Sequence, residues 1–315
     1  MKLVLLFAVS LVSAQEPSVE DSHAVYEGFY PNNIKTEMYT RTWVPIGKPV
    51  ANLVFVHGQA EHVNRYNRVF SEFAKAGIKV HAFDQVGCGK TGKRANKLGG
   101  AMGMERVKLD IDDAIVRIHD GQTPLFLMGH SFKGGSTVLD YLARGNRRNL
   151  LYGALAASPD LALAPETQPT ETQIKQLVDV ASRNPQFRIF GKLDPSLLTR
   201  NRTEINLARR DPLIFSRCAA IQVRDTVIGG RYILDGGYTG IRVPRLMIVH
   251  GTADKITHFS TSEKLALTLK AQGTSKSVDF TPYPGGYHEL HNDIIRDQVI
   301  ANHVKWILAQ ARSYK

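Results

Sequence analysis

The chain has 315 residues, of which 43% are apolar and 22% charged, and this ordinary globular usage excludes a disordered or collagen-like chain. Lysine and arginine outnumber the acidic residues by 40 to 29, which gives a formal net charge of +11. The basic residues are scattered, with short pairs at Arg147-Arg148 and Arg209-Arg210, and do not form the stripe with interleaved aromatic residues that nucleic-acid binding requires. Weak attraction to an anionic membrane or lipid surface fits this charge better.

The first fourteen residues have the pattern of a secretory signal peptide. Lys2 supplies a positive charge, residues 3–12 are nearly all apolar, and Ser13-Ala14 are small residues before the polar Gln15. We therefore expect a signal peptide over residues 1–14, a mature chain from about Gln15, and a secreted protein or one of the secretory pathway. A first buried strand or a retained anchor is the alternative for this segment.

Export permits disulfide bonds, and the chain has two cysteines, Cys88 and Cys218. Two cysteines cannot form a disulfide framework or a thiolate-only zinc site. We expect two separate thiols, with a Cys88–Cys218 disulfide as the alternative. Asn201-Arg202-Thr203 is a glycosylation sequon in an exported chain, and the sequence leaves its use open.

Short apolar runs alternate with helix-like stretches along the chain. Each run ends at a glycine or a polar turn, and the runs are residues 53–56, 79–83, 125–128, 155–157 and 246–249. Continuous apolar runs of this length are typical of parallel strands buried on both faces. Helical spacing appears between them, as at Val107, Ile111 and Ile115. The pattern predicts an α/β fold with a mostly parallel central sheet and helices on both faces.

The segment from about residue 160 to residue 242 interrupts this alternation. It is rich in Thr, Gln, Arg and Asn, and strand-like alternation resumes only near Val243. We interpret it as an insertion that covers the carboxyl ends of the strands, within one domain over residues 15–315. A continuation of the doubly wound core is the alternative.

Three polar residues close predicted strands in the order Ser131, Asp254, His288. Ligands of such sheets bind at the carboxyl ends of the strands. Ser131 lies between a strand and a helix-like run, in a turn that can expose a serine hydroxyl. Serine needs a base to take its proton, and the base needs a carboxylate to orient it, so we predict a Ser131–His288–Asp254 catalytic triad. His291 is the alternative base and Asp160 the alternative acid.

A hydrolase of this kind also needs two N–H donors for the oxyanion. We place one at Phe132, directly after the serine, and the other at Gln59, in the loop after the strand that ends at Val56. We expect Asp84 to hold its own glycine-rich turn, and the glycines at 87, 89 and 92 predict a turn rather than a helix. The chain has no His-x-x-x-His pair on a predicted helix and no phosphate-binding loop of the Gly-x-x-x-x-Gly-Lys-Ser/Thr type, so no metal and no cofactor are expected.

Seven segments spread along the chain add a second line of argument. They are His57-Gly58-Gln59-Ala60-Glu61-His62 with Arg65-Tyr66, Phe83–Gly89, Gly129-His130-Ser131, Ser196–Glu204, Asp211–Ile214, Gly251–Asp254 and Gly285–His291. Through them the chain resembles the monoacylglycerol lipase family of α/β hydrolases from roughly Tyr39 to Ala309. The resemblance implies the α/β-hydrolase fold with an inserted cap subdomain, the triad and oxyanion donors named above, and an apolar acyl tunnel under a mobile cap.

The turn after the serine departs from the pattern of that family. The family has one residue followed by two glycines, whereas this chain has Phe132-Lys133-Gly134-Gly135. We call this turn, from Ser131 to Gly135, the elbow. If Lys133 replaces a glycine of the elbow, it crowds a turn that tolerates only small side chains. If one residue has been inserted, the following helix shifts by about 100° of helical phase. The sequence leaves both open.

These features predict a secreted serine esterase or lipase that cleaves single-chain lipid esters, most favourably monoacylglycerol to glycerol and fatty acid. Apolar residues of the insertion are candidates to line the acyl slot, namely Leu193, Leu197, Leu198, Leu213, Ile214 and Phe215. The alternatives are a lysophospholipase, a general carboxylesterase or an aminopeptidase-like hydrolase on the same triad, and a catalytically impaired lipid-binding homologue whose elbow Lys133 disrupts. The expected partner is the lipid ester, with transient lipid-surface contact and no nucleic acid. The oligomeric state is open.

Overall fold

The computed structural model describes residues 18–20, 22–100, 102–191 and 193–314. The predicted signal peptide, residues 1–14, lies outside these residues. The strands within the described ranges are β1 (Ser18–Glu20), β2 (His23–Pro31), β3 (Glu37–Pro45), β4 (Ala51–Val56), β5 (Ile78–Phe83), β6 (Leu125–His130), β7 (Gly153–Ala157), β8 (Arg188–Phe190), β9 (Arg217–Ala219), β10 (Arg245–Gly251) and β11 (Ser277–Tyr283).

The helices lie mostly between strands. They are α1 (Asn67–Lys75), α2 (Gly89–Arg94), α3 (Met104–Ile118), α4 (Thr137–Arg144), α5 (Glu171–Arg183), α6 (Arg202–Arg210), α7 (Ala220–Leu234), α8 (Phe259–Gln272) and α9 (Arg296–Ala311). Among the described residues, no helix is both long enough and apolar enough to cross a membrane.

Nine of these strands form one sheet in the order β1-β2-β3-β5-β4-β6-β7-β10-β11. The first three strands are antiparallel to their neighbours, whereas β5, β4, β6, β7, β10 and β11 run parallel. The mostly parallel sheet predicted from the apolar runs is thus confirmed. Parallel strands need crossover connections, and the intervening helices supply them.

The side chains of the central strands alternate between two cores. Val54 and Val56 of β4 join a core that includes residues of α3, α4 and α8, whereas Leu53 and Phe55 join one that includes residues of α1 and α9. Successive residues of a strand point to opposite faces, so a strand covered on both sides is apolar throughout. This explains the continuous apolar runs and confirms helices on both faces.

The insertion between β7 and β10 contains α5, β8, α6, β9 and α7, and β8 pairs with β9 as a separate antiparallel ribbon. Its first helix is closed by a capping box, in which the Thr170 hydroxyl accepts from Gln173 N and the Gln173 side chain accepts from Thr170 N. Its last helix, α7, contributes Ile233 to the main core. The structure therefore has the inserted cap, and the boundaries at residues 160 and 242 stay a prediction.

The glycine-rich stretch after β5 differs from the sequence prediction. The glycines at 87, 89 and 92 predict a turn, but helix α2 begins at Gly89. The Asp84 carboxylate accepts hydrogen bonds from Lys90 N (2.6 Å) and Val63 N (2.8 Å). It satisfies one of the amide groups that the first turn of any helix leaves without an internal partner. Asp84 thus holds its own turn, as expected, and in doing so allows a short helix.

Candidate active site

Ser131 lies on a strained turn at the end of β6. Its backbone has φ +62° and ψ −151°, a conformation that L-residues rarely adopt. The amide of Ser131 donates to the Ala157 carbonyl at the end of the neighbouring β7 (2.9 Å), which ties the turn to the edge of the sheet. Such a turn between a strand and a helix presents the serine hydroxyl outside the sheet.

The three residues of the predicted triad form one hydrogen-bonded chain. Ser131 Oγ is 2.6 Å from His288 Nε2, and His288 Nδ1 is 2.7 Å from Asp254 Oδ2. Ser131 and His288 are 5% and 2% exposed, so both work in a nearly enclosed site. The chain forms because the parallel strands β6, β10 and β11 end at the same edge of the sheet, and the loops that follow them carry the three residues.

Asp254 is held as a carboxylate by several donors. Its Oδ1 accepts from Ile256 N (2.7 Å) and Thr257 N (3.0 Å), and its Oδ2 accepts from Thr257 Oγ1 (2.8 Å) and lies 3.0 Å from His250 Nε2. Burial alone would raise the pKa of Asp254, but the charge of His288 and the histidine hydrogen bonds hold it well below its usual range. The group is therefore charged at neutral pH and can orient and stabilise a protonated His288.

The Asp254 carboxylate changes the pKa of the His288 imidazole. Burial would lower the pKa of its imidazole, but the negative charge of Asp254 and the hydrogen bond to it outweigh burial and raise this pKa above the usual value. A second contact fixes the backbone of the loop, because Ser158 Oγ donates to the His288 carbonyl (2.9 Å). The imidazole is thus placed and tuned to accept the proton of Ser131.

The two predicted oxyanion donors lie next to the nucleophile. A Cβ added to Gly58, which precedes Gln59, would be 3.1 Å from Ser131 Cβ, so this loop passes directly over the serine. Among the described residues, the backbone N–H of Gln59 has no protein acceptor. Phe132 is the first residue of the helical segment after Ser131, where backbone N–H groups have no partner within the helix. Both amides are therefore available to a substrate oxygen.

The turn after Ser131 is a single π-helical turn over Phe132–Ser136, in which Ser136 N donates to Ser131 O (3.3 Å). A π turn contains one more residue than the matching α turn. A Cβ on Gly134 would overlap the Val56 carbonyl oxygen, and one on Gly135 would be 3.0 Å from the Ala157 carbonyl oxygen. Both glycines make close contact with the strand ends, and the π turn accommodates one additional residue, which favours an insertion at this turn over replacement of a glycine by Lys133.

An ionic network that sequence reasoning missed supports the site. Arg65 donates from Nη1 to Glu61 (2.7 Å) and from both Nη1 and Nη2 to the two carboxylate oxygens of Glu289 (2.7 Å each). Glu289 follows His288 directly, and Glu61 accepts from the amide of Gly58 in the oxyanion loop (2.6 Å). The network therefore joins the oxyanion loop to the base. Glu61, Arg65 and Glu289 all stand in the motifs of the resemblance, but only distances could assign them this role.

The alternative catalytic residues lie outside the hydrogen-bonded chain. The His291 ring stacks on Tyr66 (4.6 Å between ring centres), its Nε2 has no hydrogen-bond partner among the described residues, and burial lowers its pKa to about 3. Asp160 is buried, Oδ1 of its carboxylate has no hydrogen-bond partner within the part of the chain that the structure describes, and burial raises its pKa to about 8. Neither residue is hydrogen-bonded to the side chains of Ser131, His288 or Asp254, so the hydrogen-bonded chain favours His288 over His291 and Asp254 over Asp160 for the predicted triad.

The predicted acyl-slot residues divide by exposure. Leu193 is 47% exposed, whereas a side chain that lines an enclosed acyl slot should be buried. The other candidates are partly buried: Leu197, Leu198, Leu213, Ile214 and Phe215.

Both cysteines are free thiols, as expected, and the Gln59 side-chain amide lies 2.9 Å from Cys218 Sγ. The cap strand β9 therefore contacts the oxyanion loop.

A strained serine at a strand-to-helix turn, on a mostly parallel sheet with helices on both faces, defines the α/β hydrolases with a serine nucleophile, and this chain has that arrangement. The chain belongs to the Hydrolase_4 family, described as serine aminopeptidase, S33, whose pattern matches residues 47–295.

Individual relatives are consistent with this family. A Schizosaccharomyces pombe protein provisionally named as a monoglyceride lipase is 34% identical over 261 residues, which are 81% of this chain and 66% of that protein. The monoglyceride lipase of Rattus norvegicus is 27% identical, over 82% of this chain and 81% of that protein. The match spans 29% of an uncharacterised abhydrolase domain-containing protein of Dictyostelium discoideum. The crystal structure of Paleococcus ferrophilus monoacylglycerol lipase is 28% identical with a TM-score of 0.74, over 87% of this chain and 99% of that one.

Proposed function

We propose that this protein is a serine hydrolase that cleaves the carboxylic esters of single-chain lipids, with monoacylglycerol as its preferred substrate class. The observation that carries the proposal is the continuous hydrogen-bonded chain from Ser131 Oγ through His288 to Asp254. The similarity to proteins named as monoglyceride lipases supports the substrate class.

The reaction follows from the order of hydroxyl, imidazole and carboxylate in that chain. Ser131 Oγ attacks the ester carbon as His288 Nε2 takes its proton, and the carbonyl oxygen becomes an oxyanion that the amides of Gln59 and Phe132 face. Protonated His288 then donates to the leaving alcohol, which departs as glycerol and leaves an acyl-serine. A water molecule, deprotonated by His288, hydrolyses this acyl-enzyme and releases the fatty acid.

The elbow geometry argues against a catalytically impaired homologue. An inserted lysine could have displaced the serine, but the π turn absorbs the extra residue and leaves the 2.6 Å contact between Ser131 and His288 intact. The basic charge of the chain keeps a lysophospholipase as the second candidate, since an anionic head group would be attracted to it.

The test is hydrolysis of a chain-length series of monoacylglycerols and nitrophenyl esters by the wild type and by Ser131→Ala. We expect the substitution to lower kcat by at least about 10⁴-fold, since it removes the nucleophile. Lysophospholipids in the same assay separate the two candidates. Absence of turnover by folded wild-type protein on every ester would refute an esterase.

We also propose that the protein enters the secretory pathway, because residues 1–14 have the charge and apolar pattern of a signal peptide. Expression in a secreting host should yield protein in the medium whose sequence begins near Gln15. Leu6→Arg, which interrupts the apolar run, should retain the protein in the cell, whereas Leu6→Ala should not. Medium protein that starts at Met1 would contradict cleavage.

A further inference from the structure

The carboxylate of Asp254 lies between two buried imidazoles, and the proposed reaction uses only one of them. Asp254 Oδ2 is 2.7 Å from His288 Nδ1 and 3.0 Å from His250 Nε2. The side chains of His250 and Asp254 are both fully buried. His288 is the imidazole that meets Ser131 Oγ (2.6 Å), so proton transfer from the serine leaves His250 without a role.

His250, which lies on β10, is held from its other side by a serine. Its Nδ1 lies 2.8 Å from Ser262 Oγ, and Ser262 is fully buried within helix α8. Five side chains therefore form one row, in the order Ser262, His250, Asp254, His288, Ser131. A serine and a histidine lie on each side of one carboxylate. We call Ser262 and His250 the second arm; its serine is enclosed by the fold, so this arm can orient the carboxylate but cannot attack a substrate.

The hydrogen-bonding roles within the second arm follow from the charge of Asp254. A carboxylate only accepts hydrogen bonds, so His250 Nε2 carries a proton and donates to Asp254 Oδ2. In a neutral imidazole the other ring nitrogen is then an acceptor, and the Ser262 hydroxyl donates to it. Ser262 therefore selects the tautomer of His250 that donates to Asp254.

Each oxygen of the Asp254 carboxylate has its own set of donors. Oδ1 accepts from the backbone amides of Ile256 (2.7 Å) and Thr257 (3.0 Å). Oδ2 accepts from the Thr257 hydroxyl (2.8 Å) and from the two histidines. Burial raises the pKa of Asp254, and the hydrogen bond from His250 is among the contacts that lower it. Loss of the His250 imidazole would thus remove one of the three donors that fix Oδ2, the oxygen that faces His288.

We propose that His250 is a positioning residue of the triad, whose imidazole, held by Ser262, donates to Asp254 Oδ2 and keeps that oxygen directed at His288 Nδ1. When the Ser131 proton moves to His288 Nε2, the imidazolium that forms needs the carboxylate at hydrogen-bonding distance from its Nδ1. A displaced carboxylate stabilises this charged state less, but it leaves the binding of a neutral ester unchanged. The second arm therefore contributes to kcat and not to KM.

The kinetic part of this inference rests on the proposed esterase function. The variants are His250→Leu, which removes the donor, and His250→Gln, whose side-chain amide keeps an N–H group. We expect His250→Leu to lower kcat about 10- to 100-fold with KM within about threefold, since a displacement of about 1 Å can cost about 100-fold in rate. His250→Gln should recover most of kcat. His258→Leu is the matched control and should equal the wild type, because His258 also pairs with a serine, Ser260 (2.8 Å), but in an exposed hydrogen bond.

Ser262→Ala tests the second arm without changing the imidazole. It should lower kcat by less than His250→Leu does, and the double variant should equal His250→Leu, because Ser262 acts only through His250. Additive losses would show that the two residues do not act as one arm and would contradict the proposal. If His250→Leu does not fold, wild-type kcat in folded Ser262→Ala would overturn the proposal.

The proton on His288 Nδ1 gives a measurement without turnover, because its NMR resonance in the free protein reports the hydrogen bond to Asp254. Its absence from His288→Gln assigns it. We expect the resonance to move upfield or broaden beyond detection in His250→Leu, and to keep its position in His250→Gln and His258→Leu. An unchanged resonance in His250→Leu would overturn the proposal, as would a downfield shift, which would show that His250 competes with His288 for Asp254. If the wild type hydrolyses no ester but the resonance changes as expected, the proposed function fails while the positioning role stands.

Discussion

At the residue scale, Asp254 and Asp160 show how partners decide the charge of a buried carboxyl group. Asp254 meets backbone amides, a hydroxyl and two histidines, and its pKa stays well below the usual range although burial opposes this. Asp160 has one carboxylate oxygen with no hydrogen-bond partner in the described ranges. Burial raises its pKa to about 8; the charge of Asp254 also raises it, whereas the charge of His288 lowers it. Asp254 is thus charged at pH 7, whereas Asp160 is mostly protonated.

Asp160→Asn is predicted to change how stability depends on pH. Between its ordinary pKa of 3.8 and the raised value of about 8, folded Asp160 holds a proton that the unfolded chain has lost. The wild-type free energy of unfolding therefore falls as pH rises through this window. Asparagine does not ionise, so the variant escapes this loss. From pH 5 to pH 8, its free energy of unfolding should therefore rise by about 2–4 kcal/mol relative to that of the wild type.

Urea unfolding at pH 5, 6.5 and 8 measures this difference. The exposed Asp235→Asn serves as the control and should follow the wild type at every pH. Parallel stability curves for wild type and Asp160→Asn would mean that Asp160 ionises normally.

At the scale of elements, the elbow depends on close contact between a π turn and two strand ends. Gly134 lies against the end of β4, and Gly135 lies against the end of β7. Lys133 lies in this π turn, and the turn leaves Ser131 Oγ 2.6 Å from His288 Nε2. The position of helix α4 is therefore set by the glycines and not by the residue count.

Gly134→Ala is predicted to destabilise the protein by about 2 kcal/mol or more, because the new methyl group would overlap the Val56 carbonyl oxygen and lie 3.0 Å from that of His57. Gly191→Ala is the matched control, since its Cβ would meet nothing within 4 Å, and its effect should stay within about 0.5 kcal/mol. Thermal unfolding of both variants checks this. Equal stability of Gly134→Ala and the wild type would show that the elbow can open without cost.

At the scale of the whole molecule, polar contacts join the cap to the loops of the site. His62 in the oxyanion loop pairs with Asp211 (2.8 Å), and the amide of Glu289 donates to Leu198 O (2.7 Å). Arg200 Nε lies 3.0 Å from the Asp293 carboxylate, whose side chain is fully buried. The cap is therefore attached to the same loops that carry the base and the oxyanion donors.

Arg200→Ala is predicted to loosen the cap, because it removes the cation that faces the buried Asp293 carboxylate. We expect a loss of about 1–3 kcal/mol and faster tryptic cleavage within the cap. Arg209→Ala removes an ion pair whose partners are both 54% exposed, so it should leave stability nearly unchanged. Limited proteolysis with mass analysis compares the two, and equal cleavage rates would place the attachment elsewhere.

Much of the site could be predicted from local pattern. Apolar runs that end at polar turns predicted the parallel strands, and parallel strands end at a common edge, so Ser131, Asp254 and His288 could be brought together before any distance was known. The free thiols and the role of Asp84 also followed from composition and position. The helix at Gly89 did not, because the Asp84 carboxylate that caps it is supplied from outside the helix.

The sequence by itself determined five of the parallel strands, the family resemblance, and the order in which Ser131, Asp254 and His288 follow strand ends. Burial on two faces imposes an apolar pattern that can be recognised within each short segment. Only the tertiary structure showed that the turn at Lys133 is a π turn, that Leu193 is exposed, and that Arg65 bridges Glu61 and Glu289. Arg65 and Glu289 are 224 positions apart, and their contact depends on how closely the packed elements approach one another. The choice between an α turn and a π turn depends on the same close approach. The distance between packed elements is a property of the whole fold and cannot be derived from any one segment of the sequence.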